Sequence, residues 1–307
     1  MRIICFLALC ALSSAAAGAS TGTVWNELNT VKEAGTLRSL AQAPDGTLIS
    51  VGDAGLYRTS TDGGVTWVTK TSINLDNSDQ PLTKAIFDLK VSGPRLIMAG
   101  ANRLLLTSDD SGATWTTQTP ANINAAGVRF NKVSVTDAGL TAVGTSGAII
   151  ESDDNGDTWT RTTAPAAEYR AVAGDGTSTA VAVGYQDSMG IIVTRAETTT
   201  DTTTTVTWTK ATTPIALDTR TLFGVAYNGS TYAAVGANGT ILTSTDGTTW
   251  TDHSLKPPSP LPNFTDVIAV GNGFLTSANN GVAGFLTSTD SGATWTPITV
   301  LPSGSSF

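Results

Sequence analysis

The sequence predicts an all-β fold, a β-propeller of four-stranded blades, with six blades as the reading and seven as the alternative. Three observations lead there. A short pattern, SxDxGxTW, recurs along the chain, and the seven tryptophans fall 42 to 49 residues apart, a period typical of propeller and solenoid arrays. Beyond residue 20, no window carries the 3.6-residue apolar spacing of a long amphipathic helix; short apolar runs alternate instead with Gly, Asp and Asn.

The pattern reads as a β-hairpin with fixed loop chemistry. Its members are Ser60, Asp62, Gly64 and Trp67; Ser108, Asp110, Gly112 and Trp115; Ser152, Asp154, Gly156 and Trp159; and Ser288, Asp290, Gly292 and Trp295. A fifth copy, one residue shorter, holds Ser244, Asp246 and Trp250. The short carboxylate accepts bonds from nearby backbone N–H groups and Gly tolerates positive φ, so together they make the turn. Thr and Trp then open a strand whose pleat suits β-branched and aromatic side chains.

Taken in order, the chain begins with Arg2, an apolar run and a stretch of small residues, the layout of a secretory signal peptide over 1–19. Residues 20–307 form one domain. Both cysteines, Cys5 and Cys10, lie in the leader, so the exported chain is expected to carry no thiol, no disulfide and no membrane-spanning segment. "TVWNELN", with Trp25, resembles the end of a repeat without its beginning and is expected as an extra outer strand at the closure seam. Six complete units follow. Each opens with an apolar pair three residues apart: Leu37 and Leu40, Ile86 and Leu89, Phe130 and Val133, Tyr169 and Val172, Leu222 and Val225, Phe264 and Val267. A turn, a second strand, a third such as "GTILTS", and the Trp strand complete a unit, which is the layout of a propeller blade. Only twelve residues follow Trp295, too few for three more strands, hence six blades. In the fourth unit a Thr-rich extension over 198–207 replaces the Asp-Gly turn, giving a longer rim hairpin or a partner-binding or O-glycosylated projection. The connections, among them "INLDNSDQPLTK" from Ile73, read as loops over one face.

The SxDxGxTW pattern resembles the Asp-box, or bacterial neuraminidase, repeat, well in five units and through "VTW" alone at Trp208. The longer pattern from Val143 to Trp159, "VGxxGxIxxSxDxGxTW", is most similar to the photosystem II stability and assembly factor-like family, whose photosynthetic members are usually seven-bladed. That resemblance implies an exported, non-enzymatic propeller that holds a protein or peptide partner during assembly or at the envelope, periplasmic, lumenal or extracellular. It places the repeated box at the periphery, remote from a central site.

Composition narrows the chemistry. A formal charge of −8 argues against nucleic acid, which needs a basic surface. His253 is the sole histidine, and no metal or cofactor is expected, although "DNSD" at Asp76 to Asp79 could chelate Ca²⁺ from a loop. A sialidase needs a Tyr–Glu pair, but Glu168 and Tyr169 are adjacent and on a strand face opposite sides. Asp88 and Asp266, on innermost strands, are the candidate carboxylates for a glycoside hydrolase facing the channel. A polysaccharide-binding envelope protein would instead use exposed Tyr57, Tyr185 or Phe223. The binding residues expected are Arg38, Arg129, Arg170 and Arg220, all in or beside innermost strands. Arginines gathered near the axis of an acidic protein make a local positive patch for a carboxylate or acidic peptide; paired with Asp88, Asp266 or Glu168, they would merely close the channel.

Overall fold

The computed structural model describes residues 36–298 except 124–126, 137–138, 177–178, 201–202, 257–259 and 280–283. The leader at 1–19 and Trp25 lie outside the described residues. Six sheets form in chain order, each antiparallel through its four blade strands. Blade 1 holds Leu37–Gln42, Leu48–Gly52, Tyr57–Ser60 and Val68–Lys70; blade 2 holds Ile86–Ser92, Arg95–Gly100, Leu105–Ser108 and Thr114–Thr117. Blade 3 holds Phe130–Thr136, Gly139–Gly144, Ile149–Ser152 and Thr160–Arg161, and blade 4 Glu168–Gly174, Ala180–Gln186, Met189–Thr200 and Thr203–Lys210. Blade 5 holds Leu222–Tyr227, Tyr232–Gly236, Ile241–Ser244 and Thr251–Asp252, and blade 6 Asn263–Val270, Gly273–Asn279, Phe285–Ser288 and Thr296–Pro297. The chain is thus an all-β, six-bladed propeller. Among the described residues the helix content is a single 3₁₀ turn at Asp53–Gly55.

Blades stack because a four-stranded sheet cannot cover both of its faces alone. Second strands such as Leu48–Gly52 and Tyr232–Gly236 are accordingly buried along their whole length. The inner pairs of blades 2 to 6 face the preceding blade, so Ile86, Phe130, Tyr169, Leu222 and Phe264 are fully covered. Five apolar clusters fill the junctions between successive blades from 1 to 6. Trp115, Trp159, Trp208 and Trp250 sit in the first four, each pressed on the blade before its own.

The repeated turn is a closed hydrogen-bond circuit. In blade 1 the Ser60 hydroxyl donates to Asp62 Oδ1 at 2.7 Å and accepts the Gly64 N–H at 2.9 Å. Asp62 also accepts the Thr66 N–H and hydroxyl at 2.9 and 2.5 Å, and Trp67 Nε1 donates to the Gly64 carbonyl at 2.9 Å. The circuit recurs around Asp154 and Asp290. In the shortened copy Asp246 accepts the Thr248 and Thr249 N–H groups instead. In blade 2 the Tyr57 hydroxyl reaches across from blade 1 to the Gly112 carbonyl at 3.3 Å. Gly112 has φ +85, and a Cβ there would lie 2.6 Å from Tyr57 Oη, so the blades could not close on any other residue.

These bonds hold the carboxylates in their charged form. Thr66, by side chain and backbone, with help from Ser60, lowers Asp62 from 3.8 to about 2, and Asp154 and Asp290 fall to about 2 through Thr158 and Thr294. A depressed folded-state value means the unfolded chain binds the proton more readily, so the stabilisation is complete above about pH 4 and disappears as pH falls through about 2. The thermal midpoint should therefore drop most steeply between pH 4 and pH 2; a flat midpoint across that window would show these circuits to be thermodynamically idle.

Three sequence expectations are corrected. The connection from Ile73 is not a loop: Ile73–Leu75 pairs in parallel with the Trp115 strand, and Ser78–Gln80 pairs in turn with it, so the blade 2 sheet has six strands. Asp76, offered as a calcium ligand, instead accepts the Thr117 N–H and hydroxyl at 2.9 and 2.7 Å. Tyr57 is not an exposed aromatic but buried between blades 1 and 2, with burial pushing its hydroxyl up to about 12; Tyr185 and Phe223 are half-buried. The Thr-rich segment is a regular hairpin, with Thr198 opposite Thr205 and Thr199 opposite Thr204. Without the Asp turn, blade 4 anchors Trp208 differently: its Nε1 donates at 3.0 Å to Glu151, which also pairs with Arg195.

Candidate functional site

All six innermost strands carry an irregularity at the same point. Pairing skips one residue between Leu37 and Ser39, Ile86 and Asp88, Phe130 and Lys132, Tyr169 and Ala171, Leu222 and Gly224, and Phe264 and Asp266. A bulge re-aims the side chain it adds. The six skipped residues, Arg38, Phe87, Asn131, Arg170, Phe223 and Thr265, thus form one tier around the channel mouth.

Across blades 1 to 4 the tier and its neighbours make a continuous band. Arg38 donates through Nε and Nη2 to Asp53, both at 3.0 Å, and its guanidinium lies 5.6 Å from the Phe87 ring centre. Arg129 stacks on Phe87 too, at 5.7 Å, and donates to Glu168 at 2.5 Å. Arg170 pairs with the same Glu168 at 2.9 Å and lies 5.4 Å from the Tyr185 ring centre. Burial pushes the Glu168 carboxyl up, but the Tyr185 hydroxyl, Arg170 and Arg129 together hold it below its ordinary value. Asn131 donates to the Tyr169 carbonyl at 2.6 Å.

The charge count follows from the pairing. Arg38 and Asp53 neutralise each other, whereas Arg129 and Arg170 share one carboxylate and leave a net positive charge. Nε of Arg129 and Nε of Arg170 are buried and have no hydrogen-bond partner, which leaves two donors open in a partly dehydrated place. Arg220 is not in this band; it donates to the neutral oxygens of Thr240 and Asn238 at 3.1 and 3.4 Å. Three of the four expected arginines are therefore brought together, two of them through Glu168.

The expected hydrolase carboxylates are not brought together for catalysis. Asp88 does not face an open channel: it is 1% exposed, accepts the Ser39 hydroxyl at 3.1 Å and the Val133 N–H at 2.9 Å, and pairs with Lys132 at 3.5 Å. It ties blade 2 to blades 1 and 3. Half-buried Asp266 accepts the Val267 N–H, and a Cβ on Gly224 would come within 3.1 Å of its Oδ1, so blade 5 closes over it. Phe87 and Tyr185 were the partners that sequence reasoning missed. Phe87 could have been found, since it follows Ile86 as Arg38 follows Leu37 and Arg170 follows Tyr169.

Fold and repeated turn together define a β-propeller of the class whose blades are joined by SxDxGxTW hairpins. Residues 70–167 match the family described as photosynthesis system II assembly factor YCF48, and residues 191–305 match the DUF6242 beta propeller domain. No curated protein sequence matches the chain. Among solved structures, YCF48 from Cyanidioschyzon merolae is similar with a TM-score of 0.64 at 15% identity, covering 90% of this chain and 88% of that one. A structure of YCF48 bound to D1 peptide is similar with a TM-score of 0.61 at 18% identity, covering 88% and 84%. A chain of the mitotic checkpoint complex is similar at a TM-score of 0.58 and 14% identity, covering 96% and 87%. At such identities the likeness speaks for the fold.

Proposed function

We propose that this propeller is a non-enzymatic binding protein of the assembly-factor kind, and that it takes a peptide segment with a carboxylate on the Arg129–Glu168–Arg170 band. The observation that carries the reading is the sharing of one carboxylate by two guanidiniums whose Nε donors are unfilled. An arriving carboxylate can accept both, and charge-assisted bonds of this kind are about twice as strong as neutral ones. Phe87 and Tyr185 beside them offer apolar faces to a neighbouring side chain. The similarity to YCF48, including a structure bound to D1 peptide, supports a peptide as the ligand class. We further propose that the chain works after export, near an envelope membrane; the leader-like composition of residues 1–19 supports this.

Titration with a synthetic peptide ending in acidic and apolar residues and a free carboxyl group tests the reading. Arg129→Ala with Arg170→Ala should weaken binding by about tenfold or more, about 1.4 kcal/mol, and added salt should weaken the wild type in the same direction. Equal affinity of the double variant and the wild type would remove the band as the site.

A further inference from the structure

Six blades would need six packed junctions to close a ring, and the described residues supply five. The innermost strands of successive blades pack from blade 1 to blade 6, but Asn263–Val270 does not pack on Leu37–Gln42 in this way. Side-chain burial reports the same gap. Leu37 and Leu40 are half-buried, while all their counterparts, from Ile86 and Leu89 to Phe264 and Val267, are buried. Trp67 is half-buried and belongs to none of the five apolar clusters, unlike Trp115, Trp159, Trp208 and Trp250. On the far side of the gap Phe285 is half-buried, whereas Tyr57, Leu105, Ile149, Ile192 and Ile241, which hold its place in blades 1 to 5, are at most 1% exposed.

What enters this slot is indicated by spacing. In every unit the Trp strand is outermost and leads to the next innermost strand, with 10 to 19 residues from Trp to the first apolar residue; Trp25 precedes Leu37 by 12. Residues 20–31 therefore stand to blade 1 as the Trp67 strand stands to blade 2. A Trp in that place reaches the third strand of the preceding blade, as Trp115 meets Tyr57 edge-on with ring centres 6.3 Å apart. For Trp25 the preceding blade is blade 6, and the residue in the place of Tyr57 is Phe285. We propose that residues 20–31 occupy the slot between blades 6 and 1 as an outer strand, with Trp25 against Phe285, so that the ring is closed at its rim by its own N-terminal segment.

The test uses the full chain with Cys5→Ser and Cys10→Ser, carrying Trp25→Cys and Phe285→Cys and treated with a short bismaleimide. The two Cβ atoms of such a ring pair stand too far apart for a direct disulfide. Docking raises the effective concentration of one thiol at the other, so intramolecular cross-linking should exceed that of a Trp25→Cys, Thr243→Cys control by about tenfold or more. Cross-linked dimers instead would assign the slot to a second copy's segment, and a yield equal to the control would overturn the proposal. Deleting residues 20–31 in the otherwise unaltered chain gives an independent reading: amide exchange should quicken along 37–40 and 285–288 and stay unchanged in blade 3. Unchanged exchange at the slot would also overturn it.

Discussion

An Asp88→Ala variant is expected to unfold in urea with about 3–5 kcal/mol less stability than the wild type, because one partner of a buried charged cluster is removed while the others stay. The Lys132 ammonium and the Val133 N–H would be left facing a cavity, and the Ser39 hydroxyl would lose its bond across the blade junction. Asp88→Asn should cost less, about 1–3 kcal/mol, since one oxygen still accepts while the amide N–H₂ opposes the Val133 donor. The pair of variants also separates two roles. A hydrolytic carboxylate changed to Asn would abolish turnover and leave the midpoint in place; a junction tie lowers the midpoint. Urea midpoints within error of wild type for both variants would show that the tie contributes nothing.

The second large effect is a contrast between two tryptophans with the same motif around them. Trp115→Ala should cost about 3–5 kcal/mol, the transfer energy of the ring plus the cavity it leaves among Ile49, Tyr57 and Leu106. Trp67→Ala should cost no more than about 1–2 kcal/mol, because its ring is half-buried and joins no cluster among the described residues. The measurement is the difference between the two unfolding free energies in one urea series. Equal losses would mean that Trp67 is as well covered as Trp115, and that the first blade is as tightly joined as the second.

Local chemistry made much of this fold legible. The SxDxGxTW turns could be read because Ser, Asp, Gly and Thr satisfy one another within seven residues, and the apolar pairs of the innermost strands because their spacing repeats in every unit. The failures were non-local. The Ile73–Gln80 hairpin looked like a loop since its pairing partner is the Trp115 strand, about 40 residues further on. Asp88 was assigned to the channel by strand alternation, which cannot show that Ser39 and Lys132 of the flanking blades fill the space in front of it. The arginine band was anticipated as residues but not as geometry: a bulge is a matter of register between two strands, so the tier that places Phe87 between Arg38 and Arg129 has no signature in either strand alone.

The lengths of the outermost strands carry a consequence for the molecule in a crowded compartment. Blades 3, 5 and 6 end in outer strands of two residues each, and in blade 2 the Ile73–Gln80 hairpin covers the edge of the Trp115 strand. A sheet margin of two residues offers too few N–H and C=O groups to template another chain, the hazard that open margins ordinarily bring. Blade 4 is the exception, with eight residues from Thr203 to Lys210, but its side chains are largely threonine and Thr163 bridges it at Thr207. The disc can therefore be abundant without recruiting its neighbours into fibres, and the place where such recruitment would begin is the threonine hairpin.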